Sequence, residues 1–194
     1  TPLCVINGFS ENLREESGYL TKQHYINVIQ EQANEMDILV HKMLNFSKLE
    51  SDSAKLNIKS FNIKTELENI AKKYNDISSK NIIVTADDKE IFADKELMEL
   101  VFENLIENAV KYSKDNSDIK ISFANNNFNI SNECDEISKK DLKKIWKPYN
   151  RLEKDEEVRG TGIGLSIVKH ILKLHRIKPY TEYSGGRLII GFYI

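Results

Sequence analysis

The sequence has only two cysteines, Cys4 and Cys134, far apart and with no second cysteine or histidine ligand nearby. That arrangement speaks against a disulfide framework and against a zinc site, and makes a reducing compartment the expected setting. No apolar run approaches the roughly 20 residues that a membrane helix needs. No signal-peptide pattern opens the chain, so any membrane contact of a parent protein is expected outside it. Nor does one sign of charge dominate. Twenty-eight Lys and Arg face 30 Asp and Glu, a formal net charge of −2, and that balance gives no support for nucleic-acid binding. What is present suffices for a globular chain: 40% hydrophobic residues for a core and 30% charged residues for a solvated surface. A length of 194 residues suits one ordinary domain and a smaller element.

Two helices are predicted first, over residues 2–16 and 22–51, joined by a Ser17-Gly18-Tyr19 turn. Leu3, Ile6, Phe9 and Leu13 recur at helical spacing, and Pro2 suits a first turn. In the second helix Ile29, Met36 and Met43 recur every seven residues, with Ala33 and Val40 between them and Ile26, Leu39 and Phe46 widening the stripe. A lone two-helix unit buries too little, so either a second copy completes a bundle or the pair is one end of an all-helical fold. The polar stretch ESDSAKLNIKS reads as a linker. Beyond it come a helix over 63–76, strands NIIVTA and Ile91-Phe92-Ala93, and a helix over 95–113. A hairpin about Asn125-Asn126-Asn127, short helices over 138–148, a helix over 162–175 and two strands about Gly185-Gly186 complete the chain. This mixture predicts an α/β sandwich with helices on one face of a mostly antiparallel sheet.

Two segments carry chemistry. In ELVFENLIENAVKYS, Met98, Val101, Leu105 and Ala109 form the apolar stripe, and Glu99, Glu103 and Glu107 are expected on the outer face. Asn104, Asn108, Lys111 and Tyr112 form a column beside the stripe, at i, i+4, i+7 and i+8. Such a column suits a polyphosphate with a metal. Neutral amide oxygens can join the shell of Mg²⁺, an ammonium neutralises phosphate, and a phenol covers a base or bonds a phosphate. The plainer reading is an amphipathic helix with ordinary polar residues at its boundary. In VRGTGIGLSIVKHIL, Gly160, Gly162 and Gly164 alternate just before an amphipathic helix bearing Leu165, Val168, Ile171 and Leu172. Glycines admit close backbone approach, and a helix start presents free N–H groups to an anion. Leu165 occupies the position of a Rossmann fingerprint's third glycine, and no Gly-Lys-Ser/Thr of a P-loop occurs. The charged RLEKDEEVR before the glycines reads as a mobile lid or as a plain solvated loop.

Together these segments resemble the ATP-binding domain of sensor histidine kinases, within the wider GHKL ATPase group. Asn104 to Ser113 is similar to the family's asparagine box, and Gly160-Thr161-Gly162-Ile163-Gly164-Leu165 to its second glycine box. Ile145-Trp146 and Lys147-Pro148-Tyr149 resemble the phenylalanine box with other aromatics. The resemblance implies Mg²⁺ coordination by Asn108, support of the metal site by Asn104, and ATP contacts from Lys111, Tyr112, Arg159, Gly160, Thr161, Gly162, Ile163, Gly164 and Leu165. It departs in ISNECDEIS, where Asn132 stands for the Asp that receives the adenine amine and Cys134 for a glycine. An Asn oxygen still accepts from the amine without the negative charge, so weaker or less selective adenine binding is expected. Otherwise Asn132 merely ends a strand. The closing strands also lack the family's glycine-rich ending, and are expected to complete the sheet without chemistry.

The resemblance thus implies an α+β chain. A dimerisation and phosphotransfer hairpin over 1–52 would form a four-helix bundle in a homodimer through residues 2–51. A linker over 53–60 and a GHKL-type (Bergerat) ATP-binding sandwich over 61–194 would follow. Thr1-Pro2-Leu3 matches the end of the phosphoacceptor box, which places the acceptor His four positions ahead of Thr1. None of His24, His41, His170 and His175 has that box around it. Thr1 matches a residue that orients water for dephosphorylating the partner, with helix capping as the plainer role. The implied partner is a response-regulator receiver domain, and the implied setting is the cytoplasmic side of a membrane-anchored parent. Two other readings stay open: a different GHKL ATPase, which would normally carry Glu where Asn104 stands, and a non-catalytic dimerisation module, suggested by Asn132 and Cys134.

Overall fold

The computed structural model describes residues 2–15, 18–50, 55–150 and 162–194, excepting the side chains at 2, 15, 35, 38, 39 and 41–50. The chain divides into two compact units, 1–52 and 53–194.

In the first unit, α1 (Pro2–Glu15) and α2 (Tyr19–Glu50) pack against each other. The Phe9 ring meets Tyr25 edge-on at 5.3 Å and His24 at 6.3 Å, so His24 sits at the hairpin's edge. The heptad stripe is only partly covered. Ile26, Ile29 and Met36 are half-buried, while Ala33 is exposed and Val40 is 50% exposed. Leu39, His41, Met43 and Phe46 belong to the side chains outside the description. An apolar stripe left open to water is what a hairpin made to pair with another hairpin would present.

The second unit opens with a strand where the sequence reads as linker. β1 (Ile58–Asn62) pairs antiparallel with β3 (Glu90–Asp94), from Ile58 opposite Asp94 to Asn62 opposite Glu90. Its burial runs exposed until Phe61, so five mostly polar residues carry no alternation to read, and a partner some thirty residues away creates the strand. α3 (Ile63–Ile77), β2 (Asn81–Ala86), α4 (Lys95–Tyr112), β4 (Asp118–Ala124) and β5 (Asn127–Glu133) follow. α5 (Lys139–Lys144), α6 (Gly164–Leu174), β6 (Tyr180–Ser184) and β7 (Arg187–Tyr193) complete the unit. Five strands form one sheet in the order β2-β4-β5-β7-β6, parallel at β2–β4 and antiparallel elsewhere. Alternation is clean along β4 and β5, where Ile119, Ile121, Phe123, Phe128, Ile130 and Asn132 are the buried positions. Asn125 and Asn126 turn the β4–β5 hairpin, both with positive φ, as a two-residue turn demands.

Against that inner face lies α4, which buries Met98, Val101, Phe102, Leu105, Ile106 and Ala109. Phe102 stands 5.1 Å from Phe128, and Phe128 stacks on Phe192 at 4.8 Å, so helix and sheet share one aromatic cluster. The acidic column of α4 lies on its outer side, as the sequence pattern predicts, with Glu107 exposed and Glu99 and Glu103 half-buried beside α3. Lys73 of α3 pairs with Glu103 at 2.7 Å, and the Tyr74 hydroxyl donates to Glu107 at 3.1 Å. Burial, then the Glu107 and Glu103 charges, push the Tyr74 phenol well above its usual range. A single-helix projection shows this outward face but not the α3 partners that stand beside it.

α6 ends in a Schellman motif: Ile177 N–H bonds Leu172 O at 2.8 Å, and Arg176 N–H bonds Lys173 O at 3.0 Å. Arg176 takes φ 60° there, where glycine is at ease and a Cβ is not. Arg176→Gly should therefore raise unfolding stability by about 1 kcal/mol in urea or thermal melts; an unchanged or lower midpoint would contradict this reading of the turn.

Candidate functional site

The polar column of α4 runs from buried to half-buried. Asp94 starts the helix, its Oδ1 accepting from Leu97 N–H at 3.3 Å. Ten residues on, Asn104 is 4% exposed. Its Nδ2 donates to Leu100 O at 2.7 Å, which fixes the amide orientation. Its Oδ1 is buried and has no hydrogen-bond partner among the described residues. Buried polar atoms are nearly always satisfied, and one left open costs roughly 1–3 kcal/mol. Asn108, Lys111 and Tyr112 continue the column half-buried, with the Lys111 ammonium 6.0 Å from the Tyr112 ring centre.

The second segment comes close to the first at Asn104. A Cβ on Gly164 would lie 3.0 Å from Asn104 Oδ1. Gly164 is the first residue of α6, and the N-cap, Ile163, provides no side-chain cap for the first-turn N–H groups. Buried Ser166 instead donates its hydroxyl to Ile163 O at 2.7 Å and holds the turn. Gly162 has φ +68°, and a Cβ there would lie 3.1 Å from Tyr149 Cα. Tyr149 N–H in turn donates to Gly162 O at 3.0 Å. The aromatic Lys147-Pro148-Tyr149 segment and the glycine segment are thus backbone neighbours. Arg159, Gly160 and Thr161, with the rest of the RLEKDEEVR stretch, lie outside the described residues, as does Thr1. Leu165 is half-buried on α6.

Asn132 sits at the far end of β5, 5% exposed and on the face turned to the helices. Its Nδ2 makes one long bond, 3.4 Å, to Glu133 O. β5 and α4 end together: Lys114 N–H donates to Glu133 O at 2.9 Å. Cys134 is buried beyond Asn132, its N–H on Gly186 O at 3.2 Å. The C-terminal hairpin therefore backs this end of the site. One contributor had no sequence signal. Lys80, its side chain 10% exposed, donates to Ser113 O at 3.2 Å, Lys114 O at 2.9 Å and Asp115 Oδ1 at 3.0 Å. It caps the C-terminus of α4 across more than thirty residues of chain. The 470 Å³ depression on the opposite face of the sheet, lined by Ser122, Asn129, Tyr180 and Glu182, contains none of the predicted residues.

The Asn104 oxygen, unpartnered among the described residues, thus stands against the glycine that begins α6. Residues 93–190 match the family model of histidine kinase-, DNA gyrase B- and HSP90-like ATPases, and residues 1–52 match the His Kinase A (phospho-acceptor) domain. The chain belongs to the sensor histidine kinases. Its fold is accordingly a helical hairpin followed by a GHKL-type α/β sandwich. Sensor histidine kinase ArsS of Helicobacter pylori is 31% identical over 112 residues, 58% of this chain and 24% of that protein. Sensor protein kinase WalK of Staphylococcus aureus is 27% identical over 202 residues, 96% of this chain and 48% of that protein. The chain thus spans about half or less of these relatives' length. Among solved structures, histidine kinase AdeS of Acinetobacter baumannii superposes with a TM-score of 0.76 at 21% identity, covering 100% of this chain and 94% of that one. ThkA in complex with the response regulator TrrA gives 0.78 at 21% identity, covering 100% of this chain and 57% of that one. At such identities these two speak for the fold.

The orphaned Asn104 oxygen gives this member of the family a direct test. Asn104→Leu replaces the carboxamide, with its buried unsatisfied oxygen, by an apolar side chain of the same branching. It should leave nucleotide-free stability unchanged or raised by about 1 kcal/mol, while calorimetric binding of an ATP analogue falls at least tenfold. A destabilised variant with full binding would show that the amide serves packing alone.

Proposed function

We propose that this chain is the catalytic region of a kinase that moves the γ-phosphoryl group of ATP to a histidine nitrogen, and from there to an aspartate of a response-regulator receiver domain. The observation that carries the reading is the close approach of Asn104 Oδ1 to Gly164, which joins the amide column of α4 to the glycine-led start of α6. In the first transfer an N–P bond forms as the bond from γ-phosphorus to the bridging oxygen breaks, and ADP leaves with that electron pair. The acceptor is the histidine expected four positions ahead of Thr1, and Thr1 is assigned to orient the water that hydrolyses the phosphoaspartate of the partner, releasing phosphate.

Such a transfer asks a protein mainly for positioning and charge neutralisation. Lys111 places a cation among the phosphates, and Tyr112 lies beside it. The first-turn N–H groups at Gly164 and Leu165 face the anion with the positive end of the α6 dipole. Gly162 lets the chain turn in against Tyr149 without a side chain in the way. Arg159, Gly160 and Thr161 are assigned to the cover over the phosphates. The neutral oxygens of Asn108, and behind it Asn104, fit Mg²⁺, which takes oxygen ligands with phosphate. When bound, the ion would neutralise phosphate charge.

Asn132 is assigned to the adenine end, its Oδ1 accepting from the exocyclic amine while Nδ2 keeps Glu133 O. Without a carboxylate the hydrogen bond is weaker. The partly open stripe of α2 supports a homodimer through residues 2–51. No helix among the described residues is long and apolar enough to cross a membrane; a membrane-anchored parent with this region on the cytoplasmic side belongs to the same reading. The altered Asn132 and Cys134 favour one alternative, a signalling module that binds nucleotide weakly or not at all.

A chain carrying the segment ahead of Thr1 should take up acid-labile label from γ-labelled Mg·ATP, and Asn108→Ala should abolish it. Steady ATP hydrolysis without protein label would point to another GHKL ATPase. In calorimetry, Asn132→Asp should tighten ATP-analogue binding about fivefold, by the greater strength of a charged acceptor. No heat with either protein at millimolar ligand would favour the non-catalytic module.

A further inference from the structure

At the end of α6 remote from the glycines stands His175. Its Nδ1 lies 2.9 Å from Ile171 O, and its Nε2 accepts from Asp94 N–H at 3.1 Å. These two contacts require the tautomer with its proton on Nδ1. Asp94 is itself a junction. One carboxylate oxygen caps α4 at Leu97 N–H, and the other accepts from Asn57 N–H at 2.9 Å, just ahead of β1.

Distances along the helices give this junction its meaning. Asp94 to Asn104 is ten residues of α4, about 15 Å, and Gly164 to His175 is eleven residues of α6, about 16 Å. α4 and α6 therefore run antiparallel, with Asn104 against Gly164 toward one end and Asp94 against His175 at the other. Between them lies the apolar face of α6, with Val168, Ile171 and Leu172 buried, whose packing sets the separation of the two helices. A directional hydrogen bond at the far end sets the axial register. The register in turn decides where the Gly164 backbone stands relative to Asn104. The Schellman turn at Arg176 holds His175 in place for this.

We propose that His175 is a positioning residue for the nucleotide site. Through Asp94 it sets the register of α6 along α4, and it couples occupation of that site to the backbone at Asn57. The inference rests on the nucleotide reading above. A shift of α6 on binding is transmitted to the Asp94 amide, whose carboxylate holds Asn57, five residues after the first unit ends.

Two substitutions separate the His175 contacts. His175→Asn keeps a donor for Ile171 O and is too short to reach Asp94. His175→Gln reaches Asp94 with its carbonyl and gives up the contact to Ile171. Affinity for Mg·ATP analogue, measured by calorimetry on the 194-residue chain, should fall about fivefold or more in His175→Asn and stay within about twofold in His175→Gln. Amide hydrogen exchange at Asn57 and Asp94 should slow on nucleotide binding in the unsubstituted chain and not in His175→Asn. Equal losses in both variants, unchanged affinity in both, or amides indifferent to nucleotide would each overturn the proposal. Should His175→Asn fail to fold, the exchange experiment on the unsubstituted chain decides alone. An unsubstituted chain that binds no nucleotide would overturn the functional reading itself, and this inference with it.

Discussion

Asn104 and Gly164 touch where two helices need incompatible things. α4 must be apolar enough to lie on the sheet, and its Phe102, Leu105 and Ile106 are fully buried there. It must also hold a polar column beside the same face. Asn104 is the residue at which those demands collide: buried with the core, its oxygen has no partner among the described residues. Gly164 resolves the geometry by having no Cβ, so that α6 can begin against the amide. Any side chain at that position would displace either the helix start or the carboxamide.

The remainder of the second unit follows from keeping that contact in place. The Phe102–Phe128–Phe192 cluster fixes α4 on the sheet from below. Asp94 and Lys80 hold its two ends with hydrogen bonds to distant parts of the chain. α3 closes the acidic side through Lys73 and Tyr74. These surface pairs contribute little stability singly, yet they leave α4 few ways to roll. A helix held at both ends and against the sheet keeps its polar column in one arrangement, which is what the proposed phosphoryl transfer would require.

Much of this was legible one residue type at a time. The i, i+4, i+7, i+8 column of amides, ammonium and phenol marked α4 only in company with the glycine segment, since polar residues at the boundary of an amphipathic helix are ordinary. The alternating glycines before an amphipathic run marked the start of α6. Asn125-Asn126 and Gly185-Gly186 marked hairpins because few other residues accept positive φ in succession. β1 escaped because its partner, β3, is what makes it a strand. The outward acidic face of α4 is legible, but its partners Lys73 and Tyr74 are not, because a helical projection shows which residues share a side and never what stands opposite. Lys80 and His175 carried no signal, since their partners lie 33 to 35 and 81 residues away in sequence.

By itself, then, the sequence determined the classes of element, the family and the residue types at the site, because periodicity and turn chemistry are local and motifs are contiguous. Only the tertiary structure decided that the Asn104 oxygen is left open against Gly164, that Tyr149 and Gly162 are backbone neighbours, and that Asp94 joins His175 to Asn57. Each of those depends on packing between segments remote along the chain, where the energy lies in distance and direction and not in composition.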